Sequence, residues 1–191
     1  MHHNEAMMKE FEEQQKESEG WRAAQRKMIS PLKSEYEGHL GSVHGLDSSP
    51  FHRNIFASCG SDGSIHLYSM LHTKVQMFFE PVRKNLTCIR WSPFRPLVFA
   101  TASGDGRLFI YDLQDGQMHP TLSLDVCKDD IPINSIAFNP RQSEYMAVTG
   151  EENTVRIFEL VQRFSNDTNM DRETRLLQRL LTVKQEDTNL N

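Results

Sequence analysis

Short runs of alternating apolar and polar residues follow one another from residue 42 to residue 160. The first four read "SVHGLD", "NIFASC", "SIHLYS" and "KVQMFF", separated by segments of four to six residues. Each run is rich in β-branched and aromatic side chains at period two, which predicts a short strand. A second set reads "LTCIRW", "LVFATA", "RLFIYD" and "TLSLDV", and a third reads "INSIAF", "YMAVTG" and "TVRIFEL". The fourth strand of the third set is missing or comes from elsewhere. Ser-Pro and Ser-Asp-Gly pieces join the runs, and both suit tight reversals, because Pro presets φ and Gly accepts positive φ.

The flanks lack this period. Residues 5–28, "EAMMKEFEEQQKESEGWRAAQRKM", favour helix by composition, yet Gly20 interrupts them and apolar positions are sparse. A disordered leader is the preferred alternative there, and Pro31 separates it from the strands. Near the other end, "DRETRLLQRLLTVK" sets Leu176 over Leu180 and Leu177 over Leu181, with Arg172, Arg175 and Arg179 on an adjoining face. That spacing predicts an amphipathic helix capping its own domain, reached through the flexible link "SNDTNMD".

Aligned on themselves, the three sets are one unit used three times. "SSPF", "WSPF" and "FNPR" superpose, with Pro50, Pro93 and Pro140 at separations of 43 and 47 residues. Asp62, Asp105 and Glu152 then fall in register, each followed six positions later by an aromatic residue, Tyr68, Tyr111 or Phe158. This is the period of a four-stranded β-propeller blade. The expected class is all-β, a WD40-type propeller of about three blades, incomplete, with helical segments at both termini. The expected divisions are a leader at 1–35, blades at about 36–80, 81–126 and 127–161, and a linker with helix at 162–191. One small sheet cannot hide two apolar faces, so blades must stack; three cannot close a ring, and two outer faces should expose apolar surface. A Greek-key sandwich would not require in-register repeats.

Charge and cysteine usage narrow the function. Lys and Arg number 21 against 26 Asp and Glu, a net charge of −5, and no cationic stripe interleaves with aromatics, which argues against nucleic acid. No run approaches 18 apolar residues, and the first twenty residues carry acids where a signal peptide needs an apolar core, so no membrane insertion is expected. Cys59, Cys88 and Cys127 lie too far apart for a metal knuckle and cannot all pair, which fits a reducing cytoplasmic compartment. The Asn-x-Thr matches at Asn85 and Asn166 are chance hits in that setting.

Gly38-His39, Ser58, Asp62 and Tyr68 resemble the WD-repeat family. The resemblance implies a buried hydrogen-bond network locking each blade, carried by His39, Ser58, Asp62 and Tyr68 in the first unit. The second keeps Thr101, Asp105 and Tyr111 but has Val82 at the His position; the third has Val148, Glu152 and Phe158, with Asp129 at that position. Apolar packing should therefore carry more of the load in those two. A catalytic use of His39 and Asp62 lacks a nucleophile set with them, so no catalytic residue, cofactor or enzyme activity is expected. His44, His52, His66 and His72 spread over strand faces and turns, as surface histidines rather than metal ligands.

The phrasing between these landmarks is narrower. "SPFHRNIF", "LYSML" and "WSPFRPLVFA" resemble dynein intermediate chains, in the branch that serves cytoplasmic dynein-2, the motor of retrograde intraflagellar transport. The similarity covers about residues 36–161. It implies a non-catalytic subunit whose propeller binds the dynein-2 heavy-chain tail beside other intermediate and light chains, in the cytoplasm, cytoskeleton and cilium, including axoneme and basal body. Exposed blade turns near His52, Arg53 and Arg95 are the expected partner surface. The alternative is a generic WD-repeat adaptor in another complex, such as a ubiquitin ligase.

Overall fold

A computed structural model describes residues 32–115, 118–128, 130–150, 153–166 and 169–182. The chain divides into Met1–Glu35 and Tyr36–Asn191, and every regular element described lies in the second unit. The predicted helix at 5–28 lies outside the described residues.

Eleven strands form three separate antiparallel sheets. Blade 1 runs β1 (Val43–Ser48), β2 (Ile55–Gly60), β3 (Ile65–Ser69) and β4 (His72–Phe79), in that spatial order. Blade 2 repeats it with β5 (Leu86–Trp91), β6 (Val98–Ser103), β7 (Arg107–Asp112) and β8 (Leu122–Asp125). Blade 3 has three strands, β9 (Ile133–Phe138), β10 (Tyr145–Gly150) and β11 (Val155–Glu159), with β11 at an open edge. Separate sheets with nearest-neighbour order are a propeller arrangement, left unclosed, and exclude the sandwich.

The turns explain why the strands reverse where they do. Gly63 and Gly106 stand at φ +75° and +82° between the second and third strands of their blades. A Cβ on Gly63 would also lie 2.4 Å from the carbonyl oxygen of Val82. Blade 3 places Asn153 at the same step with φ +53°, as the residue type most tolerant of that region after Gly.

Burial follows the pleat. Ile55, Ala57, Cys59, Ile65 and Leu67 line the front face of blade 1 and pack on Leu86, Ile89, Trp91, Phe99, Phe109 and Tyr111 from the back of blade 2. The alternate positions of blade 2, including Val98, Ala100, Leu108 and Ile110, pack on Ile133, Ile136, Met146 and Val148 from the back of blade 3. β6 is buried at every position because both its faces are covered.

A bulge repeats along with the faces. His44 and Thr87 are the residues skipped in the pairing of the first strand with the second, between Val43 and Gly45 and between Leu86 and Cys88. An extra residue leaves the ladder and re-aims its side chain. His44 Nδ1 donates to Leu86 O at 2.9 Å, and Thr87 Oγ1 donates to Ile133 O. Each bulge thus staples its blade to the first strand of the next.

Two helices follow the blades, α1 (Gln162–Ser165) and α2 (Met170–Thr182). Asn169 caps α2, its Oδ1 accepting from Arg172 N–H at 3.2 Å, with Asp171 and Glu173 in the first turn and Arg179 in the last, as the helix dipole favours. Leu177 and Leu181 are buried in the cluster between blades 1 and 2. Among the described residues no helix is long and apolar enough to cross a membrane. Leu177→Ala should cost about 2–5 kcal/mol, the range for truncating a buried leucine. Urea melts check this, and a loss under about 1 kcal/mol would mean that α2 is not docked on the blades.

Candidate interaction surface and the blade network

The back of blade 1 carries the polar residues that the sequence singled out. His39, in the loop before β1, holds two neighbours at once: Nε2 lies 2.6 Å from Ser58 Oγ on β2, and Nδ1 lies 3.1 Å from Asp62 Oδ1 in the following turn. Asp62 also accepts from Leu40 N–H at 2.9 Å, Ser64 N–H at 3.1 Å and Ser64 Oγ at 2.8 Å. Burial alone would raise its pKa; the hydrogen bonds from Ser64, His39 and Leu40 outweigh that and hold it at about 2.

Ser58, His39 and Asp62 thus line up as a serine, a histidine and a carboxylate, so a hydroxyl does stand at the histidine, contrary to the sequence expectation. Ser58 is 3% exposed and the His39 side chain 1%. A nucleophile sealed in this way cannot meet a substrate.

His66 is one of the residues that the sequence placed wrongly. It is buried, not on the surface, because the ring of His39, from the loop before β1, lies over it and Tyr68 and Phe78 flank it on the back face of blade 1. Its ring stacks on His39 with centroids 3.8 Å apart and planes 7° from parallel. Burial, then the neighbouring His39, push its pKa down. His39, Asp62 and His66 bring ligand atoms close together. Parallel rings point their lone pairs side by side, however, and cannot both aim at one ion at about 2.0–2.1 Å. Hydrogen bonds occupy the same atoms: His66 Nε2 lies 3.1 Å from Ser64 Oγ and Nδ1 lies 3.0 Å from Tyr68 OH.

The aromatic position behaves alike in two blades. Tyr68 stacks on Phe56 at 4.9 Å and Tyr111 on Phe99 at 4.9 Å. Tyr68 OH donates to Glu37 O at 2.8 Å, whereas Tyr111 OH is buried without a hydrogen-bond partner. Thr101 Oγ1 donates to Cys88 O at 2.9 Å, and Asp105 accepts from Ser103 Oγ, so neither is joined to a histidine. Phe158 is half-buried against the blade 2–blade 3 cluster, and Glu152 lies outside the described residues. Burial pushes the Cys59 thiol up to about 12 and raises Cys88, which leaves neither as a thiolate at neutral pH.

Of the expected partner surface, Arg53 is exposed and His52 half-buried in the β1–β2 turn. Arg95 does not belong there, for it is 4% exposed. Its Nε donates to Glu173 Oε2 at 2.9 Å, Nη2 reaches Glu173 Oε1 and lies 3.4 Å from Asp112 Oδ2, and Nη1 donates to Arg163 O. Arg163 in turn lies 3.7 Å from Asp112 and bonds Asp115. The β5–β6 turn, the end of β7 and both helices meet at this one guanidinium. No local spacing announces it, because Glu173 comes from a helix far along the chain.

The family described as "WD domain, G-beta repeat" matches residues 30–69 and 74–112. Cytoplasmic dynein 2 intermediate chain 2 of Mus musculus is 38% identical over 136 residues, and its counterpart from Homo sapiens 36% over the same length. The chain carries a WD40-repeat domain related to dynein intermediate chains. The match covers 71% of this chain but 25% of either relative, so this WD40 chain spans about a quarter of their length. Protein transport protein Sec31B of Mus musculus is 24% identical over 134 residues, covering 68% of this chain and 11% of that protein.

Because the Asp62 pKa is lowered from 3.8 to about 2 in the fold, its contribution is fully present above pH 3.8 and lost as pH falls toward 2. Thermal melts should therefore show Asp62→Asn less stable than wild type at neutral pH, with the gap narrowing across that acid window. Parallel curves at every pH would remove Asp62 from the network. Tyr111→Phe deletes an unsatisfied buried hydroxyl and should raise stability by about 1 kcal/mol in a chemical melt; a loss of similar size would show that the hydroxyl is paired.

Proposed function

We propose that this WD40 chain acts as a non-catalytic intermediate-chain subunit of the cytoplasmic dynein-2 motor. It binds the heavy-chain tail through its blades, alongside other intermediate and light chains, and supports retrograde intraflagellar transport and cilium assembly. The observation that carries this reading is the 38% identity to a relative named cytoplasmic dynein 2 intermediate chain 2, which runs over 136 residues. Its setting is the cytoplasm and cytoskeleton, at the cilium, axoneme and basal body. A scaffold of stacked sheets suits such work, because the blades hold their turns rigidly while the turn residues vary. His52 and Arg53, at the rim of blade 1, are the side chains we assign to the contact.

Affinity purification of the tagged chain from ciliated cells, followed by mass spectrometry, tests the proposal. Recovery of the dynein-2 heavy chain with its light chains is expected, and Arg53→Glu should lower that recovery while leaving the thermal melt unchanged. A stable complex without any dynein chain, such as a ubiquitin ligase, would overturn the motor reading and leave the WD40 fold standing.

A further inference from the structure

α2 presents two unlike faces. Leu177 and Leu181 are buried, Leu176 and Leu180 pack against the same cluster, and Glu173 is buried against Arg95. Arg172, Arg175 and Arg179 are exposed on the opposite side. At about 100° per residue the three fall within roughly 60° of arc, and they span about 10 Å of helix axis. They form one row of cations on a helix whose docking is fixed from beneath.

That row is unfavourable for the helix that carries it. Arg172 and Arg175 are three positions apart and Arg175 and Arg179 four, the spacings at which like charges on a helix repel. Arg172 also stands in the first turn, where the helix dipole favours acids. Among the described residues, none of the three side chains is held in an ion pair or a hydrogen bond, whereas the exposed Arg107 and Arg163 each meet a carboxylate, Asp125 and Asp115. The fold does not call for the row, since the leucines and Glu173 hold α2 in place.

We infer that the arginine row of α2 docks a helix of a protein partner that carries carboxylates at the matching spacing, i, i+3 and i+7. Each carboxylate takes one guanidinium, whose planar fork can meet both of its oxygens. A nucleic acid fits less well, because the net charge of −5 repels a polyanion and α2 has no aromatic side chain for a base to stack on. An anionic bilayer fits less well too, because the leucines that would enter it are turned into the blades. The surface is separate from the His52 and Arg53 contact, and it stands whether or not the partner is a dynein chain.

Fluorescence anisotropy on the purified 191-residue chain at low salt tests this. The probe is a labelled alanine-rich peptide of about twenty residues, long enough for a helix, with glutamates at i, i+3 and i+7. It should bind, weaken as salt is raised, and bind roughly fivefold more tightly than an isomer whose glutamates are spread around the helix. Arg172→Gln, Arg175→Gln and Arg179→Gln should each weaken binding by roughly two- to fivefold, the worth of an exposed pair. All three together should melt no lower than wild type, because they relieve like-charge repulsion. Arg172→Glu, Arg175→Glu and Arg179→Glu combined should lose this peptide and bind its lysine counterpart. Equal binding of the two isomers, or tighter binding of phosphatidylserine vesicles or a single-stranded oligonucleotide, overturns the proposal. So does a triple glutamine variant that keeps full affinity, or one that melts well below wild type, which would give the arginines to the fold.

Discussion

Blade 2 is the constraint on which the described structure rests. A four-stranded sheet is too thin to bury a core within itself, and its two apolar faces must each meet another sheet. Phe99, Phe109 and Tyr111 point one way and Val98, Leu108 and Ile110 the other, so the same strands serve two clusters. Removing either neighbour would leave one of those faces in water. The alternation within β6 and β7 therefore dictates the stack, and the stack in turn spaces every turn along the rim.

Hydrogen bonding adds to this unevenly. Blade 1 carries the network of His39, Ser58, Asp62 and Ser64, which ties the loop before β1 to the turn after β2. Blade 2 has no such histidine, and it compensates with aromatic contact: Tyr111 lies between Phe99 at 4.9 Å and Phe79 at 5.2 Å. The order of dependence follows the position of the sheets. Blade 1 has a back face open to solvent, where apolar burial is incomplete and a polar lock contributes more; blade 2 is covered on both sides. The serine–histidine–aspartate arrangement of blade 1 is consumed in holding a loop.

The helices at the end of the chain are part of the same physics. α2 lays Leu177 and Leu181 into the cluster between blades 1 and 2. Glu173 is buried with Arg95 and Asp112, a cluster with two carboxylates around one guanidinium that also bonds a backbone carbonyl. Buried charges of this kind stabilise little in net terms but are costly to separate, which fixes the docking geometry of α2 rather than its strength.

Period two along eleven runs, the Pro and Gly punctuation and the spacing of 43 and 47 residues determined the strands, their order and the repeat, because these depend on local backbone preferences and on which residues must avoid water. His39, Ser58 and Asp62 were legible for the same reason: they sit at fixed offsets within one unit. Only the tertiary structure decided which face of each sheet is front or back, that Val155 and Ile157 are exposed, and that the His39 ring covers His66. Arg95 was read as a rim residue because a turn is normally wet; a helix folded back over that turn makes it a buried anchor. Burial is a property of what covers a residue, and for Arg95 the cover arrives from Glu173, 78 positions along the chain.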